Sequence, residues 1–201
     1  MKIEYKIVAA SLIFAACASQ VMAENYYGAL DIGQAKGSDI CTGNPPSISG
    51  CEDTATAFRI AGGYQFSPNW GAEVSYADYG SGSVGSGNIG APFGNVSGNW
   101  KATALEIAGV GTLPISGGFS LTGKLGLTST DIKVDINSSS LGSISESNTT
   151  SKLTFGVGAK FAVNKNVAIR AQYEDFGTVG DSNTTGTTKL TMLSAGVMFM
   201  F

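Results

Sequence analysis

Eight ionisable side chains fall inside otherwise apolar segments: Asp31, Arg59, Glu73, Glu106, Lys124, Lys160, Arg170 and Glu174. Charge in such surroundings is costly unless it is paired. Carboxylates placed this way can serve as general acids or bases when burial or a like charge displaces their titration. Here four carboxylates are matched by four cations, which favours ion pairing over proton transfer. The chain has no His, so its many serines lack the base that would make one of them a nucleophile. The glycine run from Gly80-Ser81-Gly82 to Gly85-Ser86-Gly87 precedes no helical pattern and is loop composition, not a phosphate cradle. No catalytic residue and no cofactor is expected. Cys41 and Cys51, with nine residues between them in a stretch rich in Gly, Pro and Ser, predict a disulfide if the compartment is oxidising. Closing that loop is worth about 2–3 kcal/mol, felt mainly as local order. A metal pair would need further Cys or His ligands, which are missing, so no metal site is expected.

The elements that position these groups follow an N-terminal export signal. Lys2 and Lys6 form a positive start, Ile7 to Ala18 is an apolar run, and Val21-Met22-Ala23 ends in a small residue. This predicts a signal peptide over 1–23, cleaved before Glu24 and leaving one domain over 24–201. A lipoprotein signal using Cys17 fits less well, because Phe14 stands where Leu is usual. Removal of Lys2, Lys6 and Glu4 leaves 10 basic and 14 acidic side chains, a net charge of −4. That excess speaks against nucleic acid as a partner. No later stretch is long enough in apolar residues for a membrane helix.

Alternating apolar segments are expected near 25–35, 55–66, 70–79, 99–113, 118–134, 151–163, 167–176 and 189–201. Short turns at Ser67-Pro68-Asn69, Ile115 to Gly118 and Asn164 to Asn166 alternate with long polar connections at 36–54, 80–98, 136–150 and 177–188. Seven connections imply eight strands. Even strand number and alternating loop lengths are the plan of an all-β, antiparallel, up-and-down transmembrane barrel, with three short periplasmic turns and four long extracellular loops.

Parity sharpens this reading. Asp31 opposes Leu30 and Ile32, Arg59 opposes Phe58 and Ile60, and Glu73 opposes Ala72 and Val74. Glu106, Lys124, Lys160, Arg170 and Glu174 oppose their apolar neighbours in the same way. A Lys or Arg facing lipid at mid-bilayer would cost about 2–4 kcal/mol, so the charges face a lumen and form its ion network. Asp78, Lys101, Asp131, Lys133 and Asp175 break the rule and are expected at strand ends. Tyr26, Tyr27, Trp70, Tyr79, Trp100, Phe176, Phe199 and Phe201 are expected as interfacial girdles. The terminal stretch KLTMLSAGVMFMF carries Leu193, Ala195, Val197, Phe199 and Phe201 on one face, a strand with a fully apolar side.

YYGALDIGQ at 26–34, GGYQFSPNWGAEVSYADYG at 62–80, WKATALEIAGVGTLPI at 100–115, FGVGAKFAVNKNVAIRAQYEDFG at 155–177 and MLSAGVMFMF at 192–201 resemble the eight-stranded transmembrane domain of outer membrane protein A. The chain also resembles, more loosely, OmpX and opacity-type surface barrels. The resemblance spans 24–201, apart from the loops. It implies the outer membrane of a Gram-negative bacterium, and a lumen plugged by a salt bridge whose members would be Glu73 and Arg170. Val110, Lys124 and Lys160 differ from the family pattern of inward Lys, Arg and Glu, so the network is rewired. The family's peptidoglycan-binding domain is not expected after Phe201. The alternating apolar end, Leu193, Val197, Phe199 and Phe201, resembles the signal read by the barrel-assembly machinery.

The function expected is that of a non-enzymatic surface barrel displaying acidic polar loops, which hold Asp39, Glu52, Asp53, Glu146 and Asp181. Its partners would be outer-membrane lipid and lipopolysaccharide, the assembly machinery, and host-surface or phage ligands. An eight-stranded barrel is just wide enough for side chains to fill it. The alternative is a narrow channel gated by Glu73 and Arg170, with inward Gly63, Ala61, Ala108, Gly126, Gly156 and Gly158 leaving space. A soluble periplasmic barrel is disfavoured by the outward apolar stripes.

Overall fold

A computed structural model of the protein describes residues 25–38, 40–41, 45–182 and 186–201. The export signal expected over 1–23, and Asp39 of the acidic loop set, lie outside the described residues. The strands are β1 (Tyr26–Gly37), β2 (Ile48–Cys51), β3 (Thr54–Ser67), β4 (Trp70–Asn88), β5 (Asn95–Ser116), β6 (Phe119–Ser138), β7 (Gly142–Ala162), β8 (Val167–Asp181) and β9 (Gly186–Met200). Eight of them pair antiparallel with their chain neighbours, and β1 pairs with β9 to close the ring. From Asp31, the pairing leads one way through Arg59, Ala77, Ala104 and Thr130 to Thr150 on β7. The other way it leads through Gly196 and Arg170 to Lys160 on the same strand. The two arrival points differ by ten residues, which is the stagger of the barrel. For eight strands it sets a tilt of about 40°.

The short turns have local causes. Gly117 and Gly118, at φ of 59° and 84°, supply the two positive-φ positions that a two-residue hairpin with the right twist requires. Ser116 then pairs directly with Phe119. In the 163–166 turn, Asn164 Oδ1 accepts hydrogen bonds at 2.9 Å from the backbone N–H of both Asn166 and Val167. Such a side-chain acceptor stands in for a backbone turn bond.

The long connections depart from expectation. Most of 80–98, 136–150 and 177–188 is strand: the β4–β5 hairpin runs to Asn88 and Asn95, and the β6–β7 hairpin to Ser138 and Gly142. Their Ser, Thr, Gly and Asn content reads as loop, yet cross-strand pairing continues because each hairpin supplies its own partner. In 36–54, the short β2 pairs with the outer end of β4. The Cys41–Cys51 disulfide closes beside it, and Trp100 Nε1 donates to Glu52 O at 3.1 Å. The wall is uneven. β7 pairs with β8 only from Phe155–Asp175 down to Ala162–Ala168, whereas β8 above that point pairs with β9. A bond from Gly180 N–H to Thr150 Oγ1 at 3.3 Å crosses the parting.

Outward faces are apolar. Leu30, Ile60, Val74, Leu105, Leu125, Val157, Ile169 and Leu193 are all exposed. On β5 the outward apolar column runs from Leu105 to Ile115. At ~3.3 Å per residue and this tilt it is about 25 Å tall, the height of a bilayer's hydrocarbon band. Above it stands a rim of ion pairs: Lys36–Asp53 at 3.6 Å and Lys101–Asp78 at 3.2 Å, both exposed, and Lys189 at 2.8 Å from the buried Asp175. Expected at strand ends, the rim charges Asp78, Lys101, Asp131, Lys133 and Asp175 stand instead within strands that continue past the membrane boundary. An Arg in place of Val157 is therefore expected to cost about 2–4 kcal/mol in a lipid-reconstituted urea titration. The same change at Ser147, beyond the belt on the same strand, should stay within about 0.5 kcal/mol.

Candidate functional site

The inward faces converge on one ion cluster. β1 brings Asp31, β3 Arg59, β4 Glu73, β5 Glu106, β6 Lys124, and β8 both Arg170 and Glu174, and all seven are buried. Arg170 holds Asp31 with two bonds, Nε to Oδ1 at 2.8 Å and Nη2 to Oδ2 at 2.7 Å, and reaches Glu73 Oε2 with Nη1 at 2.6 Å. Arg59 donates through Nε to Asp31 Oδ2 at 2.9 Å, and also bonds Glu174, Gln172 and Ser194. Lys124 Nζ touches three carboxylates, Glu73 at 3.1 Å, Glu106 at 2.7 Å and Glu174 at 2.7 Å. Tyr27 donates its hydroxyl to Glu73 Oε2, and Ser75 to Glu106 Oε2, each at 3.1 Å. Desolvating this much charge is offset only when nearly every lone pair and proton finds a partner. Only Glu106 Oε1 lacks one among the described residues.

Lys160, grouped by parity with the lumen ions, stands apart from the cluster. Its direct neighbours across β6 and β8 are Ser120 and Arg170, and it makes no ion pair among the described residues. The stagger sets it level with a second cation, below the carboxylates. Four acids therefore meet three cations, not four.

The glycines thought to leave space do not. A Cβ on Gly63 would overlap the Tyr27 ring, one on Gly126 would fall 2.8 Å from Ala108 Cβ, one on Gly156 2.7 Å from Glu174 Cγ, and one on Gly158 2.9 Å from Gln172 Cγ. These residues lack side chains because a neighbour lies across them.

A second layer was missed in the sequence reading. Tyr79, Trp100, Ile132, Phe176, Val179, Leu190 and Met192 pack together inside the ring. Tyr79, Trp100 and Phe176 were expected in an outward girdle; they are 1%, 4% and 1% exposed. Tyr27 also points inward. The signal was present: Tyr79 lies three residues from outward Tyr76, Trp100 five from outward Leu105, and Phe176 three from outward Tyr173. An odd spacing along a strand puts a residue on the opposite face. On each strand carrying both kinds of residue, the apolar one lies on the long-hairpin side of the ion. The cluster is thus capped by an apolar plug, with Tyr79 and Phe176 edge to face at 5.1 Å. Tyr26, Trp70, Phe199 and Phe201 do face outward at the short-turn end. There Tyr26 packs on Tyr64 at 4.7 Å. Leu193, Val197, Phe199 and Phe201 line the outer face of β9 and its end, where the Phe201 N–H donates to Tyr26 O at 3.0 Å.

A family model for the outer membrane protein beta-barrel domain matches residues 7–201. No curated sequence relative matches. Among solved structures, neisserial surface protein A is 20% identical, with 88% of this chain and 97% of that one covered at a TM-score of 0.56. The N-terminal barrel of Pseudomonas aeruginosa OprF is 18% identical, covering 90% and 100% at 0.53. Ail, the attachment invasion locus protein of Yersinia pestis, is 21% identical, covering 88% and 99% at 0.52. Its crystals held the heparin analogue sucrose octasulfate. With a closed eight-stranded ring, an outward apolar belt and a family match over nearly its whole length, this chain belongs to the outer membrane protein β-barrel family and resides in the outer membrane of a Gram-negative cell.

Proposed function

We propose that this protein is a closed, non-enzymatic barrel whose role is to hold long β-hairpins at the cell surface. The observation that carries the reading is the double filling of the lumen, an ion cluster beneath an apolar plug. An ion entering from the hairpin side would meet Tyr79, Trp100 and Phe176 in place of water, and a charge in such surroundings is strongly disfavoured. The carboxylates that could do acid–base work are held by Arg59, Lys124 and Arg170. In the family's orientation the hairpins face outward, above a rim of ion pairs placed where lipopolysaccharide headgroups begin. The outer face of β9 with Phe201 suits recognition by the assembly machinery. Glu52, Asp53, Glu146 and Asp181 make the hairpin end acidic, so a basic or polar host or phage surface suits it better than a sulfated sugar of the kind bound to Ail.

Planar-bilayer recordings of the purified barrel test this. No conductance above that of empty bilayers is expected, and steady single-channel steps would overturn the closed reading. The narrow-channel alternative draws on one observation: Glu73 touches both Arg170 and Lys124, so an exchange of partners is available to it. If steps appear and Glu73→Ala changes their frequency, that alternative replaces the first.

A further inference from the structure

We infer that the short-turn end of the lumen holds a binding site for one small monovalent anion, with Lys160 as its charged ligand. A cavity of about 20 Å³, measured as space for solvent centres, lies there beneath the ion cluster. It is roomy enough for one water-sized or slightly larger species, since a single water needs about 10–15 Å³ by this measure. Lys160 lines it and makes no ion pair among the described residues. Its cross-strand neighbour Arg170 lines the same wall with its charge already met by Asp31 and Glu73, which leaves Lys160 as the uncompensated cation there. The donors around the cavity point the same way. Gln172 gives its amide oxygen to Arg59, which leaves its NH₂ as the group for the cavity, and Thr112 and Thr122 contribute hydroxyls.

The wall's one carboxylate does not compete. Glu73 Oε1 is held by Lys124, and its Oε2 by Arg170 and Tyr27. A cavity with an uncommitted cation, amide and hydroxyl donors, and a saturated carboxylate is complementary to an anion. Its size selects chloride or an ion of similar bulk. The apolar plug closes the other side, so the site is a dead end reached from the short turns and not a step along a conduction path.

Chloride quadrupolar NMR on the refolded protein in an uncharged maltoside detergent tests the site. A saturable excess linewidth over detergent alone is expected. Lys160→Arg should retain it, and Lys160→Met should weaken binding by roughly tenfold or more, the loss of one charge-assisted hydrogen bond. Folding of each variant is checked by the shift in gel mobility between unheated and boiled samples. Thr122→Val removes a donor without touching charge and should reduce the affinity more modestly. The absence of excess broadening in the wild type would overturn the proposal. So would broadening left unchanged by Lys160→Met, or by Thr122→Val should the Lys160 variant not fold.

Discussion

Arg170→Ala is expected to destabilise the barrel by about 3–5 kcal/mol, the largest single loss in the ion cluster, because it takes a cation from two buried carboxylates. Arg170 supplies three charge-assisted bonds, two to Asp31 and one to Glu73. Without it Asp31 keeps one of its three bonds, from Arg59, and Glu73 keeps two of three, from Lys124 and Tyr27. The cavity beneath the cluster has room for about one water, too little to solvate two carboxylates in its place. Urea unfolding in lipid vesicles, followed by the heat-dependent gel shift, reads the loss directly. Adding Asp31→Asn to Arg170→Met should recover part of it, since the stranded charge is then gone. A loss below about 1 kcal/mol would be the behaviour of exposed, solvated pairs and would mean that the lumen is wet.

Phe176→Ala should cost about 3–5 kcal/mol as well, by the mechanism of a cavity in a packed core. The Phe176 ring is almost fully enclosed, edge to face against Tyr79 and beside Leu190 and Met192. Phe199→Ala offers the control, since that ring lies on the outer face of β9 and is 44% exposed. Its truncation removes lipid-facing area and leaves no hole, so its cost should be distinctly smaller. Equal losses in the two variants, or a larger one at Phe199, would contradict an interior plug. Placed in planar bilayers, Phe176→Ala also shows whether the plug is what blocks ions, because the ion cluster below it remains intact.

The ring and its sidedness were legible because a bilayer imposes a strict rule on a period-two pattern. Asp31 beside Leu30, Arg59 beside Ile60 and Glu106 beside Leu105 each state which face is which. Turn chemistry at 117–118 and at Asn164 marked the short connections. The hairpin extensions were not legible. Beyond the hydrocarbon both faces of β6 and β7 meet water, so Asp135 to Ser138 and Gly142 to Ser151 show no alternation and resemble loops. The plug was legible in principle through the odd spacing of Tyr79, Trp100 and Phe176 from their outward neighbours. It was hidden by the expectation that aromatics near a membrane boundary face the lipid. The position of Lys160 depended on the ten-residue stagger, a property of the closed ring that no single strand encodes.

The parting of β7 from β8 above Phe155 and Asp175 has a mechanical consequence. Below that point every strand is braced on both flanks. Above it the β6–β7 hairpin is braced through β6 alone, like a beam fixed along one edge. Load applied at Leu141 passes into the β5–β6 seam, while the β8–β9 hairpin across the gap carries almost none of it. A partner that seizes this projecting arm can therefore bend it without disturbing the ions packed beneath.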